Sequence, residues 1–242
     1  MGLKLMCVVA HPDDECYAFG GALALAADRG VETYVVCLTD GQAATNRGDA
    51  ASGEALGKMR RKEFRASCEV LGVTRHELMD YQDGHLEFVH FSQAAERLGE
   101  RMRRFKPDVV ITFGGDGGQN THADHMMASM LTTAAFHWSG QPKRYPHAGE
   151  AHKARRLYYV TANFLMPDRQ PAMMMPWTVT LDIRSVRERK NEAFRKHISQ
   201  APLMEKTRDI FERYGAEEFY ALVATAEPQA ARLGTDLFEG LS

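Results

Sequence analysis

The chain has 242 residues, 44% of them apolar and 26% charged, which suits one α/β domain spanning residues 1–242 around a sizeable core. A formal net charge of -2 gives it no general attraction to nucleic acid or to an anionic membrane surface. Met1 to Ala10 is too short for a signal h-region, and no later apolar run approaches the length of a membrane span.

In chain order, Leu3 to Val9 reads as a strand and Tyr17 to Arg29 as a helix ending at Gly30. Val31 to Thr39 is a second strand, Leu56 to Leu71 a helix closed by Gly72, and His76 to Tyr81 a short strand. Phe91 to Phe105 is a helix stopped by Pro107, followed by the strand Val109 to Phe113 and the helix Ala123 to Trp138. Leu157 to Thr161 and Trp177 to Ile183 are strands; Ser185 to Ser199 and Leu203 to Tyr214 are helical. Apolar strands alternating with amphipathic helices indicate a mainly parallel sheet covered on both faces.

Two connections are long, Asp40 to Ala55 and Ser139 to Arg155, and loops of that length in a compact domain are usually functional or mobile. Asn163 to Pro176, with three Pro and four Met, is a third irregular stretch whose Met residues suit gap-filling in a core or subunit contact. The four cysteines (Cys7, Cys16, Cys37, Cys68) show no Cys-x-x-Cys spacing and read as reduced thiols of a cytoplasmic protein. Cys16 has no base near it in sequence, so a nucleophilic role is not favoured.

Two polar clusters stand out. His11-Pro12-Asp13-Asp14-Glu15 follows the first strand directly, and Thr121-His122-Ala123-Asp124-His125 opens the helix after the strand Val109 to Phe113. Both leave parallel strands at their carboxyl ends, where open α/β sheets bind ligands. In the common strand order 3-2-1-4-5 the two strands are neighbours and the clusters face each other.

The residue types suit a divalent metal. His11, Asp14 and His125 supply two imidazoles and a carboxylate, leaving a fourth position for water, the pattern of a catalytic rather than a structural zinc site. Asp13 points differently from its neighbour Asp14 and can take a proton from the attacking water. His122 can donate a hydrogen bond or a proton to the reacting group, with Asp124 orienting its ring and favouring the protonated form. The plainer alternative is helix capping, by Asp13 or Asp14 in the first cluster and by Thr121 or Asp124 in the second. Two such clusters at equivalent strand ends favour chemistry. The loop Gly114-Gly115-Asp116-Gly117-Gly118 lacks the spacing of a dinucleotide cradle and reads as a flexible rim for close approach of substrate.

These residues, with Gly20-Gly21, Arg60-x-x-Glu63, Leu71-Gly72-Val73, Asp83-Gly84, Pro107-Asp108-Val109-Val110, Lys190 and His197-x-Ser199-Gln200, occur in an order that resembles the PIG-L/LmbE-like deacetylases of N-acetylglucosamine compounds. The resemblance implies a Rossmann-like three-layer α/β fold and a zinc or ferrous ion on His11, Asp14 and His125. It implies Asp13 as general base, and His122, tuned by Asp124, as stabiliser of the tetrahedral intermediate and proton donor to the leaving amine. It further implies sugar contacts from Arg60 and Asp83, a pocket edge that includes His197 and Gln200, a small amino-sugar substrate, and a trimer or hexamer. Two features depart from the pattern. Ala123 stands where many members have Pro, and the Gln42 to Ala55 loop lacks the arginine-rich form associated with the bacillithiol pathway. A phosphoester hydrolase, with Arg47, Arg60 and Arg61 as its cations, and a non-catalytic sugar-binding protein are the competing readings.

Overall fold

The computed structural model describes residues 2–119, 121–165 and 173–241. Strands β1 (Lys4–Val9), β2 (Glu32–Thr39), β3 (Arg75–Tyr81), β4 (Val109–Phe113), β5 (Arg156–Thr161), β6 (Val179–Asp182) and β7 (Glu217–Thr225) form one sheet in the order β3-β2-β1-β4-β5-β7-β6. From β3 through β5 every pairing is parallel; β7 runs antiparallel to both β5 and β6. The helices are α1 (Asp14–Tyr17), α2 (Gly20–Asp28), α3 (Gly53–Leu71), α4 (Phe91–Phe105), α5 (Ala123–Ser139), α6 (Arg187–Arg195) and α7 (Ala201–Tyr214). They cover the sheet on both sides, with α4 packed on α5, and α1, α2 and α3 packed on α6.

The central strands are apolar throughout because neither face meets water. Leu5 to Val9 have no exposed surface, and burying each such side chain contributes at most about 1.5–3 kcal/mol. The chain leaves β1 for β2 on one side and later returns to β4 on the other. The carboxyl ends of β1 and β4 therefore flank the switch point in strand order.

Several elements differ from the sequence expectation. The first helix begins at Asp14 and breaks between Tyr17 and Gly20, giving α1 and α2. The helix expected over Ser185 to Ser199 stops at Arg195, and a separate 3-10 turn covers Ile198–Gln200. The strand expected from Trp177 starts at Val179. Strand β7, unforeseen, takes its place between β5 and β6. The Ser139 to Arg155 connection is pinned rather than free: the buried Arg103 guanidinium of α4 donates to the carbonyls of Ser139, Gln141, Arg144, Tyr145 and Gly149. Part of the Met- and Pro-rich stretch, residues 166–172, lies outside the described residues.

Candidate active site

The turn after β1 is built before anything binds it. Ala10 carries the β1–β2 pairing one step on, its carbonyl accepting from the Thr39 amide and hydroxyl, each at 3.0 Å. The His11 amide then donates to Asp14 Oδ2 at 2.8 Å. Asp13 lies in the left-handed region at φ 108°, which costs a non-glycine residue roughly 1–3 kcal/mol. Glu15 secures that conformation. One of its oxygens accepts from the Asp13 amide at 2.9 Å, and the other accepts from Ser67 Oγ at 2.6 Å and lies 2.8 Å from His197 Nε2. Neither Asp13 nor Asp14 caps α1 with its side chain.

His125 enters from the first turn of α5. Its Nδ1 is 3.0 Å from the Gly117 carbonyl, which can only accept, so the neutral ring carries hydrogen there and keeps a lone pair on Nε2. That Nε2 lies 3.2 Å from His11 Nδ1 and 3.3 Å from Asp14 Oδ1; His11 Nδ1 and Asp14 Oδ2 are 3.7 Å apart. Ligands on a tetrahedral zinc, with bonds of about 2.0–2.2 Å, stand roughly 3.3–3.5 Å from one another. The three side chains fit a divalent ion between them. The glycine loop serves this geometry as a tied turn, with Asp116 accepting from the amides of Gly118 and Gln119 at 3.3 and 3.0 Å.

Asp124 departs from the sequence expectation. Its carboxylate meets His11, not His122: Oδ2 lies 3.2 Å from His11 Nε2, and the two oxygens also accept from the amides of Gly84 at 2.7 Å and Leu86 at 3.0 Å. Asp83 stands beside it, its Oδ1 3.0 Å from the same His11 nitrogen and its Oδ2 accepting from the Ala43 amide at 2.9 Å. Two carboxylates thus fix His11 with its hydrogen on Nε2 and Nδ1 aimed at His125. Burial alone would lower the His11 pKa, but the bonds to Asp124 and Asp83 and the Asp14 charge overturn that and hold it at about 10. Burial would raise Asp14, yet His125 and His11 hold it well below the usual carboxylate range.

His122 caps α5, its Nδ1 accepting from the Asp124 amide at 3.1 Å. A neutral His122 therefore carries its hydrogen on Nε2. Burial and the charges of His11 and His125 lower its pKa and outweigh the opposing pull of Asp124, so the neutral ring is favoured, contrary to the expected protonated form.

Arg60 lies behind Asp13. It is 3% exposed, with Nη2 3.0 Å from Asp13 Oδ2 and further bonds to the carbonyls of Pro12 and Gly41. Burial lifts the Asp13 carboxyl to about 6, against the opposing Arg60 charge. His197, 1% exposed, is bonded to Glu15 and stands outside the cavity wall, unlike Gln200. Gln200 does line the cavity, and its amide donates to the Asn46 carbonyl at 3.2 Å, tying down the 40–55 loop. Sequence reasoning assigned no role to Glu15, and none to Gly117 in setting the His125 ring. Cys16 is no nucleophile: burial pushes its thiol pKa well up, and the thiol donates to the Asp13 carbonyl.

These residues open onto a cavity of about 460 Å³, within the roughly 300–1,000 Å³ range of small-molecule sites. One end is polar, with His11, Asp13, Asp14, Asp83, His122 and His125; Ala43 to Thr45 of the first long loop form its rim. The rest of the lining is mainly apolar and aromatic, with Gln119, Lys190, Gln200, Glu217 and Glu218 among it. Among the described residues no helix is long and apolar enough to cross a membrane.

Known proteins of similar sequence and structure bear on this site. The profile of the GlcNAc-PI de-N-acetylase family, PIG-L, matches residues 6–136, more than half of the chain. The mycothiol S-conjugate amidase of Streptomyces coelicolor is 30% identical over 177 residues, 65% of this chain and 60% of that protein. The chain thus spans under two thirds of that amidase. By contrast, it matches the 1D-myo-inositol 2-acetamido-2-deoxy-alpha-D-glucopyranoside deacetylase of Rhodococcus jostii at 26% identity across 98% of both chains. The structure of N,N'-diacetylchitobiose deacetylase from Pyrococcus horikoshii superposes with a TM-score of 0.75 at 24% identity, covering 91% of this chain and 83% of that one, a likeness of fold.

Proposed function

The chain belongs to the PIG-L family, GlcNAc-PI de-N-acetylases by description, and from that premise we propose that it is a metal-dependent hydrolase removing the N-acetyl group from an N-acetylglucosamine-type compound. The observation that carries the reading is the triangle of His11, Asp14 and His125, whose ligating atoms lie within 4.8 Å of one another. The names of the Streptomyces and Rhodococcus relatives, an amidase and a deacetylase of a 2-acetamido sugar, point to amide hydrolysis.

A divalent ion held by His11, Asp14 and His125, zinc or ferrous iron, supplies a Lewis acid for the amide carbonyl and lowers the pKa of water. Asp13 takes the proton of the attacking water on its carboxylate, held in place by Arg60 and by the Glu15 bond to its amide. His122 donates a hydrogen bond from Nε2 to the oxygen that gathers charge, a contribution of about 2.7–4 kcal/mol for one such donor. Asp13 then delivers that proton to the amine nitrogen, since both ring nitrogens of His122 are engaged, and the products are acetate and the free amine. Asp124 and Asp83 serve by orienting His11. Asp83, together with Gln200, also lines the space open to the sugar. We further propose that the protein is cytoplasmic and a homo-oligomer, trimer or hexamer; light scattering of the purified protein checks the oligomeric state.

The test is amine release across a panel of N-acetylglucosaminides, before and after chelator treatment and after adding back zinc or ferrous iron. Chelator-sensitive release restored by metal supports the reading. A protein that binds no metal and releases no amine refutes it.

A further inference from the structure

Part of the cavity lining is more apolar than an N-acetylated sugar requires. Tyr17, Val160, Phe164, Ile210, Phe211 and Tyr214 line it. Leu203, Ile210, Phe211 and Tyr214 fall at helical spacing along α7, each half-buried, so this stripe is turned toward the cavity rather than sealed into the core. Phe164 stacks on Tyr214 at 4.3 Å with the rings 12° from parallel, and Tyr17 meets Phe211 edge-on at 4.9 Å.

Lys190 and Glu218 are paired with each other there, and the exposed Glu217 adds a negative charge to the lining. Lys190 Nζ lies 2.6 Å from Glu218, whose carboxylate also accepts from the amides of Gly21 and Ala22 and from Tyr220 Oη. Arg60, the other Lys or Arg among the described lining residues, is paired with Asp13. An anionic group entering this part finds no free cation. The acetyl group offers a single methyl, and the sugar hydroxyls want polar partners, so neither accounts for an aromatic chamber of this kind.

We propose that the apolar chamber between α7, α1 and the ends of β5 and β7 is a subsite for a neutral, apolar aglycone, aryl or alkyl, carried by the N-acetylated amino sugar. The proposal rests on the deacetylase reading for the sugar, while the chamber is testable apart from turnover. Each methylene buried there multiplies affinity roughly fourfold.

The experiment compares methyl and benzyl N-acetyl-β-D-glucosaminide on the full chain. Binding is measured by calorimetry after chelation, so that turnover plays no part, and kcat/KM is measured with zinc added. The benzyl glycoside is expected to bind at least roughly tenfold more tightly, with the same preference in kcat/KM. In Ile210→Asn and in Leu203→Gln that ratio is expected to fall to about threefold or less. Equal binding of the two glycosides by the wild-type protein, or a ratio unchanged in both variants, overturns the proposal. So does a methyl glycoside bearing an N-hexanoyl in place of the N-acetyl group that gains the same advantage, since the chamber would then receive the acyl chain. If the binding preference holds and neither glycoside releases amine with metal present, the subsite stands and the deacetylase reading fails.

Discussion

Asp124 Oδ2 lies 3.2 Å from His11 Nε2, although the two residues are 113 positions apart. This contact joins the two polar clusters through a carboxylate and a ring that the sequence alone does not pair. It leaves His11 Nδ1 as the nitrogen proposed to hold the metal. Removing such a carboxylate partner typically lowers metal affinity 10–100-fold. Asp124→Asn is therefore expected to lose roughly that factor in zinc affinity, read by competition with a chromogenic chelator. Unchanged affinity would show that the contact does not orient His11.

Metal loading must displace a proton. The acids around His11 hold its pKa at about 10, so the ring is protonated at neutral pH, whereas a ligating imidazole is neutral. Zinc affinity is expected to rise with pH up to about 10, with about one proton from His11 released per ion bound near pH 7. Calorimetry in buffers of different ionisation enthalpy measures that release directly. Loading without proton release would show that the surrounding acids do not hold His11 protonated before the ion binds.

Asp13 must be ionised to act as a base. Its carboxyl is raised by burial to about 6, and the Arg60 charge opposes that rise. The acid limb of kcat/KM is expected where Asp13 ionises, activity being lost as pH falls through that value. Arg60→Met removes the opposing charge, so the limb shifts to higher pH. An Arg60 that only contacted sugar would change KM and leave the limb in place.

Glu15 and His197 form a fully buried pair. Burial would raise Glu15, but His197 holds it below its ordinary 4.5; burial would lower His197, but Glu15 holds it above its ordinary 6.5. The depressed Glu15 contributes stability that is present above about pH 4.5 and lost as pH falls through its folded value. The raised His197 contributes stability that is present below about pH 6.5 and lost as pH rises through its folded value. Breaking a buried pair costs about 3–5 kcal/mol. Glu15→Gln is thus expected to be destabilised by up to that amount, most strongly between about pH 4.5 and 6.5, in urea unfolding followed across pH. A pH-independent loss would place the effect in packing.

Much of this architecture is legible in the sequence because hydrated side chains crowd the ends of strands that are otherwise apolar. The parallel order through β5 follows from buried strands alternating with helices, and it brings His11 and Asp14 against His125. Strand β7 escaped because it pairs antiparallel, directly after a helix and Gly215, although the run Phe219 to Val223 carries a strand signal. The partner of Asp124 was not legible. Position in a helical first turn does not say which imidazole a carboxylate meets, and His122, drawn onto the helix end as its cap, leaves Asp124 to His11. The apolar chamber was hidden for a similar reason, since Tyr17, Val160 and Tyr214 are brought together by tertiary structure alone.

The central claim is that Asp13 is the base of a metal-dependent deacetylation. Asp13→Asn keeps the shape of the side chain, and Asp13 is not among the three ligands. The decisive measurement is amine release from an N-acetylglucosaminide by this variant and by wild type, with bound metal quantified in the same samples. The account predicts equal metal content and a kcat lowered by about 10²–10⁴. Near wild-type release from a fully loaded variant would contradict it.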